Sequence, residues 1–180
     1  MPATNAIAAI IRNDLYETKM TTINIQADYS LKHHNTLGFD QTAQLYSAPA
    51  DDAALEAALL HAQENKLPVT ILGGGSNVVL TKDIKGLVIH PAYASINIEP
   101  TEREDTTLVS VGAGIGWNDL VNHTLATGLR GLENLTLIPG NVGAAPVQNI
   151  GAYGVEIEQR IAWLRALHLP SMQWLSLIHI

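Results

Sequence analysis

The sequence predicts a domain of the α/β or α+β class, in which a helix packs on a β-sheet. An apolar strand at 43–47 is followed by a helical pattern, and a second apolar strand follows at 69–72. This β-α-β order places a helix against one face of a sheet. Apolar residues make up 47% of the 180 residues, which is enough to build a buried core and argues against disorder.

The first helix is predicted to begin at Asp51 or Asp52 and to end near Asn65. Either aspartate can cap the helix, because a carboxylate accepts hydrogen bonds from the free amides of the first turn. Pro68 stops the helix, since the residue before a proline avoids helical geometry. Apolar residues recur at a spacing of three and four and therefore share one face. They are Leu55, Ala58, Leu59 and Ala62.

Further elements are predicted from residue 87 onward. Short strands are expected at 87–90, 95–99 and 107–111, the last two pairing across a polar turn. A helix is expected at 117–127, and Gly128 stands where a helix-terminating glycine belongs. Residues 161–169 fit either a strand or a short helix.

The stretch ILGGGSNVVL at 71–80 joins two apolar runs through three consecutive glycines. Glycine adopts positive φ and lets a ligand approach the backbone. Consecutive amides in such a loop can converge on an anion. The stretch therefore has the chemistry of a cradle for a nucleotide pyrophosphate. The alternative is a plain turn, the usual role of Gly-Gly-Gly.

The stretch 131–154 is rich in glycine, proline and asparagine and fits neither a helix nor a regular strand. A long irregular segment in a compact domain is usually functional. Its glycines permit close backbone approach, and its amide side chains can hydrogen-bond the edge of a flat heteroaromatic ring. A structural Ω-like loop is the alternative.

Composition and spacing exclude several classes of function. The net charge of −7 argues against a nucleic-acid partner, and the lack of cysteine excludes disulfides and thiol chemistry. The seven histidines show no metal-binding spacing, so no metal is expected. No apolar run approaches the length needed to span a bilayer, and residues 1–20 lack a signal-peptide pattern, so we expect a cytoplasmic protein.

The sequence partly matches three known glycine-containing motifs but completes none of them. Gly112–Gly116 reads G-x-G-x-G rather than the Rossmann G-x-G-x-x-G, so a tight strand-to-helix turn is the better interpretation. No Walker lysine follows Gly75, and Val78 stands where a nucleophile elbow would need glycine.

Together these segments resemble a known family. SLKHHNTLGFD at 30–40, ILGGGSN at 71–77, VGAG at 111–114 and GLENLTLIPGNVGAAPVQNIGAYGVE at 131–156 resemble the UDP-N-acetylenolpyruvoylglucosamine reductases, or UDP-N-acetylmuramate dehydrogenases. The resemblance implies an α+β FAD-binding domain of the vanillyl-alcohol-oxidase/PCMH type. Such a domain has two α+β subdomains with non-covalent FAD between them.

The resemblance also implies which residues bind. A pyrophosphate cradle would comprise Gly73, Gly74, Gly75, Ser76, Asn77 and Val78, with Thr36 close to the flavin. Tyr153 would face the substrate or nicotinamide pocket. The residues that would run along the flavin and adenine-ribose are Pro139, Gly140, Gly143, Ala144, Ala145, Asn149, Ile150 and Gly151.

The family reduces the enolpyruvyl group of UDP-N-acetylglucosamine enolpyruvate with NADPH, in peptidoglycan precursor synthesis for the cell wall. Its catalytic arginine, serine and glutamate lie in and beyond a Gly-Tyr-Arg segment, which this chain does not contain. We therefore expect no catalytic residues here, no substrate-binding domain and little turnover. The full-length enzyme would take a UDP-sugar and NADPH as partners and act as a monomer.

The expected domain organisation has three parts. Residues 1–20 form a tail or weak helix, 21–175 form the FAD-binding domain, and 176–180 form an atypical end. The apolar ending WLSLIHI lacks an evident strand partner, so the sequence suggests a truncated chain. Two other functions stay open. One is an oxidase of the same fold with flavin tethered through His33 or His34, and the other is a non-catalytic nucleotide-binding module.

Overall fold

The structure is a computed structural model that describes residues 6–10, 23–101 and 105–177. The chain divides into two compact units. We call the part within residues 16–93 the N-terminal unit, and the strand at 6–10 together with residues 94–177 the C-terminal unit. Each is described separately.

The elements follow one another in this order along the chain. They are β1 (Ala6–Ile10), β2 (Gln26–Ser30), β3 (Thr42–Ser47), α1 (Asp52–Glu64), β4 (Val69–Ile71), β5 (Ile84–Ile89), β6 (Ile96–Pro100), β7 (Thr106–Val111), α2 (Trp117–Ala126), β8 (Gly151–Ala152), β9 (Val155–Glu156), β10 (Leu164–His168) and β11 (Gln173–Leu177). Single 3₁₀ turns lie at Glu133–Leu135, Val142–Ala144, Pro146–Gln148 and Ile157–Gln159.

The N-terminal unit is built on a four-stranded sheet of order β2-β3-β5-β4. β5 runs parallel to both of its neighbours, whereas β2 pairs antiparallel with β3. Leu87, Val88 and Ile89 of β5 are completely buried, as expected for an inner parallel strand. The sheet thus presents the loops that follow β2 and β4 from a rigid centre.

Helix α1 confirms the sequence prediction. The Asp51 carboxylate accepts a hydrogen bond from the Ala54 amide at 2.8 Å and caps the helix, and Asn65 is the C-cap that follows Glu64. Ala58, Leu59 and Ala62 on the predicted apolar face are buried. The helix therefore connects β3 to β4 with its apolar face covered.

The C-terminal unit contains a three-stranded sheet of order β1-β7-β6. β6 and β7 pair antiparallel, as predicted, and α2 follows β7 through the turn Gly112–Gly116. Trp117, Leu120 and Val121 of α2 are buried in the core of this unit. Gly128 has φ +81°, which confirms its predicted place beyond the helix end.

The stretch 131–154 is irregular, as predicted. It consists mainly of 3₁₀ turns and ends in the short hairpin β8–β9. Tyr153 and Gly154 form the tip of that hairpin, with φ values of +52° and +78°. Two positive φ angles are typical of the type I′ turn, whose twist matches paired strands.

Two expectations about the chain ends are wrong for the described residues. Residues 6–10, expected in a tail or weak helix, form β1, which pairs parallel with β7 and satisfies the backbone groups of that strand edge. The other residues of the expected 1–20 tail lie outside the described part.

The apolar ending was expected to lack a strand partner, but β11 pairs antiparallel with β10. The guanidinium of Arg165 lies 3.7 Å from the centre of the Trp174 ring, a cation–π contact that supports this hairpin. Residues 161–169 were expected to form either a strand or a short helix, and Leu164–His168 form a strand. Residues 178–180 lie outside the described part.

Candidate functional site

The glycine loop, residues 73–76, leaves the sheet directly after β4. Leu72 is the last residue held by the sheet, because its amide donates to the Ile89 carbonyl at 2.9 Å. Within the described part of the chain, the amides of the next four residues, 73–76, donate no hydrogen bond. Four neighbouring amide donors without a protein acceptor are suited to an anionic ligand.

Gly75 fixes the end of this loop against a second segment. Its φ is +67°, and a Cβ at this position would stand only 2.0 Å from the His34 carbonyl oxygen. The Gly75 carbonyl in turn accepts a hydrogen bond from the Thr36 amide at 3.2 Å. The structure therefore brings together Thr36 and the glycine loop, which were predicted to share a site.

Asn35 holds the turn that carries Thr36. Its side-chain amide donates to the carbonyls of Leu31 and Phe39 at 2.8 and 2.9 Å, and its carbonyl oxygen accepts from the Phe39 amide at 2.9 Å. Asn35 is only 7% exposed. We did not single out Asn35 from the sequence, although it lies within the 30–40 segment that carried part of the resemblance.

An aromatic cluster lies beneath this turn and comprises Tyr29, His34, Tyr46 and His90. The rings of Tyr29 and Tyr46 stack at 3.9 Å, and the Tyr29 hydroxyl lies 3.1 Å from His34 Nε2. His34 and His90 meet edge to face, with ring centres 4.9 Å apart. His90 Nδ1 lies 2.9 Å from the Leu72 carbonyl oxygen. No sequence motif indicated His90, because its role depends on the pairing of β4 with β5.

Two groups in this cluster have shifted pKa values. Burial lowers the pKa of His34 below its ordinary 6.5, and the neighbouring imidazoles of His90 and His33 lower it further. Burial and the nearby Tyr29 raise the pKa of Tyr46. The interior of the cluster therefore favours neutral side chains.

In the C-terminal unit, the turn Gly112–Gly116 lies against residues 140–143. The amide of Trp117 donates to the Gly140 carbonyl, and that of Val142 donates to Ile115, both at 2.8 Å. The Gly143 amide donates to the Ala113 carbonyl at 3.0 Å. A Cβ on Gly143 would stand 2.7 Å from Ala113 Cβ, so glycine is needed for this close approach. The tight-turn interpretation of 112–116 is thus confirmed.

The other predicted site residues of this unit differ in how far they are exposed to a ligand. Ala145 and Ile150 are 3% and 7% exposed, so their side chains belong to the core and only their backbones can meet a ligand. Asn149 has φ +42° and donates to the Glu156 carboxylate at 2.9 Å. Tyr153 is 88% exposed at the hairpin tip. Across both units the exposed predicted site residues are Thr36, Asn77, Val78, Pro139, Gly143, Gly151 and Tyr153.

A cavity of about 440 Å³ lies within the C-terminal unit, and Gly143 and Ala145 form part of its wall. The remaining lining is mainly apolar and includes Trp117 and Ile157. Arg160 also lines it, and its Nε is buried without a hydrogen-bond partner in the described part. This cavity suits an apolar group, whereas the glycine loop offers amide donors.

The comparisons with known proteins decide the family. A family described as "FAD binding domain" matches residues 43–170, well over half of the chain. The chain belongs to the FAD-binding domain family. FAD is accordingly its cofactor, as the sequence indicated.

The similar curated proteins within this family share one name. Over 149 residues the chain is 49% identical to the UDP-N-acetylenolpyruvoylglucosamine reductase of Cupriavidus pinatubonensis, covering 83% of this chain and 44% of the relative. It is 45% identical over 146 residues to the Pseudomonas aeruginosa reductase of the same name, covering 81% and 43%. The chain thus spans less than half the length of these relatives. These matches confirm the resemblance stated from the sequence.

A solved structure supports the fold. The crystal structure of UDP-N-acetylenolpyruvylglucosamine reductase (MurB) from Thermus caldophilus matches with a TM-score of 0.64 and 24% identity. The match covers 87% of this chain and 52% of that one. The α+β FAD-binding fold expected from the sequence is confirmed.

The described residues lack a metal-ligand cluster and a membrane-spanning helix. They contain no group of three His, Asp or Glu side chains placed to hold a metal ion. None of the helices in the described part is long and apolar enough to cross a membrane.

Proposed function

We propose that the chain is the FAD-binding part of an enzyme that reduces UDP-N-acetylglucosamine enolpyruvate to UDP-N-acetylmuramate with NADPH. This reaction supplies a peptidoglycan precursor for the cell wall. One observation carries the proposal, namely the unbonded amides at 73–76 beside Thr36 in a chain of the FAD-binding family. The 45–50% identity to reductases of that name supports the choice of reaction.

The glycine loop fits the pyrophosphate of FAD. A pyrophosphate is anionic and offers only acceptor oxygens to a protein. Residues 73–76 offer four unbonded amide donors together with the Ser76 hydroxyl, and Gly73 to Gly75 have no side chains of their own to cover those amides. Because the whole chain carries a net charge of −7, such local donors must supply the attraction. We propose that Asn77 and Val78 complete this cradle.

In the C-terminal unit, we propose that residues 139–145 and 149–151 run along the flavin and adenine-ribose. Gly140 and Gly143 permit close approach, as their backbone is not covered by side chains of their own. Ala144 and Pro139 are small or rigid neighbours that leave room for a ring face. Tyr153 projects from the β8–β9 hairpin, where it is accessible to a substrate.

The residues named above would hold FAD, which would supply the hydride-transfer chemistry between NADPH and the enolpyruvyl double bond. The residues of this chain bind and orient the cofactor, and we assign none of them as the proton donor. We further propose a monomeric, cytoplasmic protein, in keeping with its nucleotide-sugar and NADPH partners. Light scattering coupled to gel filtration tests the monomer.

FAD binding tests the proposal directly. Titration of the purified protein into FAD should quench flavin fluorescence with a saturable, one-site curve. Acid precipitation should then release the flavin into the supernatant, since the proposed binding is non-covalent. Unchanged fluorescence with folded protein would contradict the proposal. Flavin retained on the precipitate would instead favour the covalent oxidase alternative.

A further inference from the structure

We propose that His34 and His90 are positioning residues that hold the two ends of the glycine loop, and that the loop keeps its FAD-binding conformation only while the His34 imidazole is neutral. This inference rests on the proposed role of the loop in binding FAD. All the contacts involved lie within the N-terminal unit.

His90 holds the first end of the loop. The Leu72 carbonyl can only accept a hydrogen bond, so His90 Nδ1, 2.9 Å away, carries the proton and donates it. The Leu72 amide is already bonded to Ile89 at 2.9 Å. Both backbone groups of the residue before Gly73 are therefore fixed, one by the sheet and one by His90.

His34 holds the other end through its backbone. Its carbonyl oxygen occupies the space beside Gly75 where a Cβ would stand 2.0 Å away. The imidazole anchors this backbone, because its Nε2 lies 3.1 Å from the Tyr29 hydroxyl. If His34 moves, the Thr36 amide bonded to the Gly75 carbonyl moves with it.

The two histidines are coupled to each other. Their ring centres are 4.9 Å apart, so a proton on one places positive charge against the other. The titratable groups that face His34 are Tyr29 of β2, Tyr46 of β3, His90 after β5, and His33 in its own turn. None of these is a carboxylate that would stabilise an imidazolium. The lowered pKa of His34 agrees with this geometry.

The direction of the pH dependence separates positioning from direct attraction. If His34 positions the loop, protonation disrupts the cluster and FAD binds more weakly as the pH falls. If an imidazolium instead contacts the pyrophosphate, FAD binds more tightly as the pH falls. We expect the first behaviour, with a dissociation constant that increases about tenfold as the pH falls from about 7.5 to about 5.5.

The experiment combines FAD titrations with NMR titration of the histidine ring protons in the cofactor-free protein. His90→Phe keeps a ring beside His34 but removes the donor to Leu72 and the imidazole that neighbours His34. We expect it to bind FAD about tenfold more weakly at about pH 7.5 and to show a flatter pH profile. The NMR pKa of His34 should move up toward 6.5 in this variant.

Two further variants serve as a donor-retaining comparison and as a control. His90→Gln retains an amide donor for Leu72 but has no imidazole beside His34, so it should bind more like wild type at about pH 7.5. Its pH dependence should shift, because one cause of the lowered His34 pKa is removed. His123→Gln removes an exposed imidazole from α2, outside the cluster, and should match wild type throughout. Circular dichroism establishes that each variant is folded.

The outcomes distinguish this inference from the proposed function. If wild type binds FAD with a flat or opposite pH profile, or if His90→Phe binds like wild type, the positioning role is wrong and the proposed function stands. If wild type binds no FAD, the proposed function fails. The NMR titration then decides the histidine coupling alone, and an unchanged His34 pKa in His90→Phe would overturn it.

Discussion

Gly75 lies so close to the His34 backbone that only glycine, which has no side chain, fits at this position. A Cβ on Gly75 would stand 2.0 Å from the His34 carbonyl oxygen and 2.6 Å from Asn35 Cα. Both obstacles are backbone atoms, which cannot rotate away as a flexible side chain can. The glycine loop and the turn at 34–36 therefore form one rigid surface.

The first prediction concerns Gly75→Ala. We expect it to destabilise the protein by about 3 kcal/mol or more, because a left-handed alanine costs about 1–2 kcal/mol and overpacking adds to that. FAD affinity should fall to undetectable levels in fluorescence titrations. Urea unfolding gives the change in the free energy of unfolding.

Gly38→Ala is the matched control for that variant. Gly38 also has φ +67°, but a Cβ there meets no atom within 4 Å. It should lose only the backbone cost of about 1–2 kcal/mol and keep its affinity for FAD. If the two variants lost the same amount of unfolding free energy and FAD affinity, the packing of Gly75 against His34 would have no importance.

The second prediction concerns Asn35→Ala. This change removes three hydrogen bonds of a buried side chain and leaves the Phe39 amide without its acceptor, so we expect a loss of about 3 kcal/mol in the free energy of unfolding. Asn65→Ala is a control, since Asn65 donates to His61 at an exposed helix end. It should cost less than about 1 kcal/mol. A similar cost for both would contradict the role assigned to Asn35.

The third prediction tests the close approach of two loops in the C-terminal unit. Gly143→Ala should destabilise the protein by about 1–3 kcal/mol through its clash with Ala113 Cβ at 2.7 Å. Adding Ala113→Gly removes the atom it meets and should recover part of that loss. Additive effects in this double-mutant cycle would mean that the two residues do not interact.

The fourth prediction concerns the pH dependence of stability. Because the pKa of His34 is lowered in the folded state, the unfolded chain binds more protons as the pH falls. The contribution of His34 is therefore present above the unfolded pKa of 6.5 and is lost as the pH falls through the lower folded pKa. Denaturant midpoints between about pH 5 and 7.5 should show this decline.

His34→Phe is the variant that tests this assignment. It keeps an aromatic ring in the cluster but has no titrating group, so stability should depend less on pH in that window. His123→Gln should keep the wild-type slope, because His123 is exposed on α2. An unchanged slope in His34→Phe would show that another group causes the decline.

Much of the fold was predictable because local patterns agreed with the tertiary structure. The cap at Asp51, the apolar face of α1 and the glycine after α2 all follow from local chemistry. The strand at 6–10 was missed because it depends on pairing with β7, about a hundred residues away along the chain. Pairing partners of that separation leave no local pattern.

The candidate site divides in the same way. Glycine at 73–75 and the proximity of Thr36 were predictable, the first from composition and the second from resemblance. The contact between His34 and His90 was not, because it depends on how distant strands bring side chains together. The bonds of Asn35 to Leu31 and Phe39 are local, but no pattern of residue types indicated them. A single histidine carries no spacing pattern that distinguishes it from a surface residue.

The location of the FAD pyrophosphate tests the central claim most directly. A crystal structure of this chain grown with FAD should place pyrophosphate oxygens about 2.7–3.2 Å from the amide nitrogens of residues 73–76. Gly75 should keep its contact with the His34 carbonyl in that complex. A pyrophosphate bound elsewhere, with these amides facing only solvent at saturating FAD, would contradict the claim.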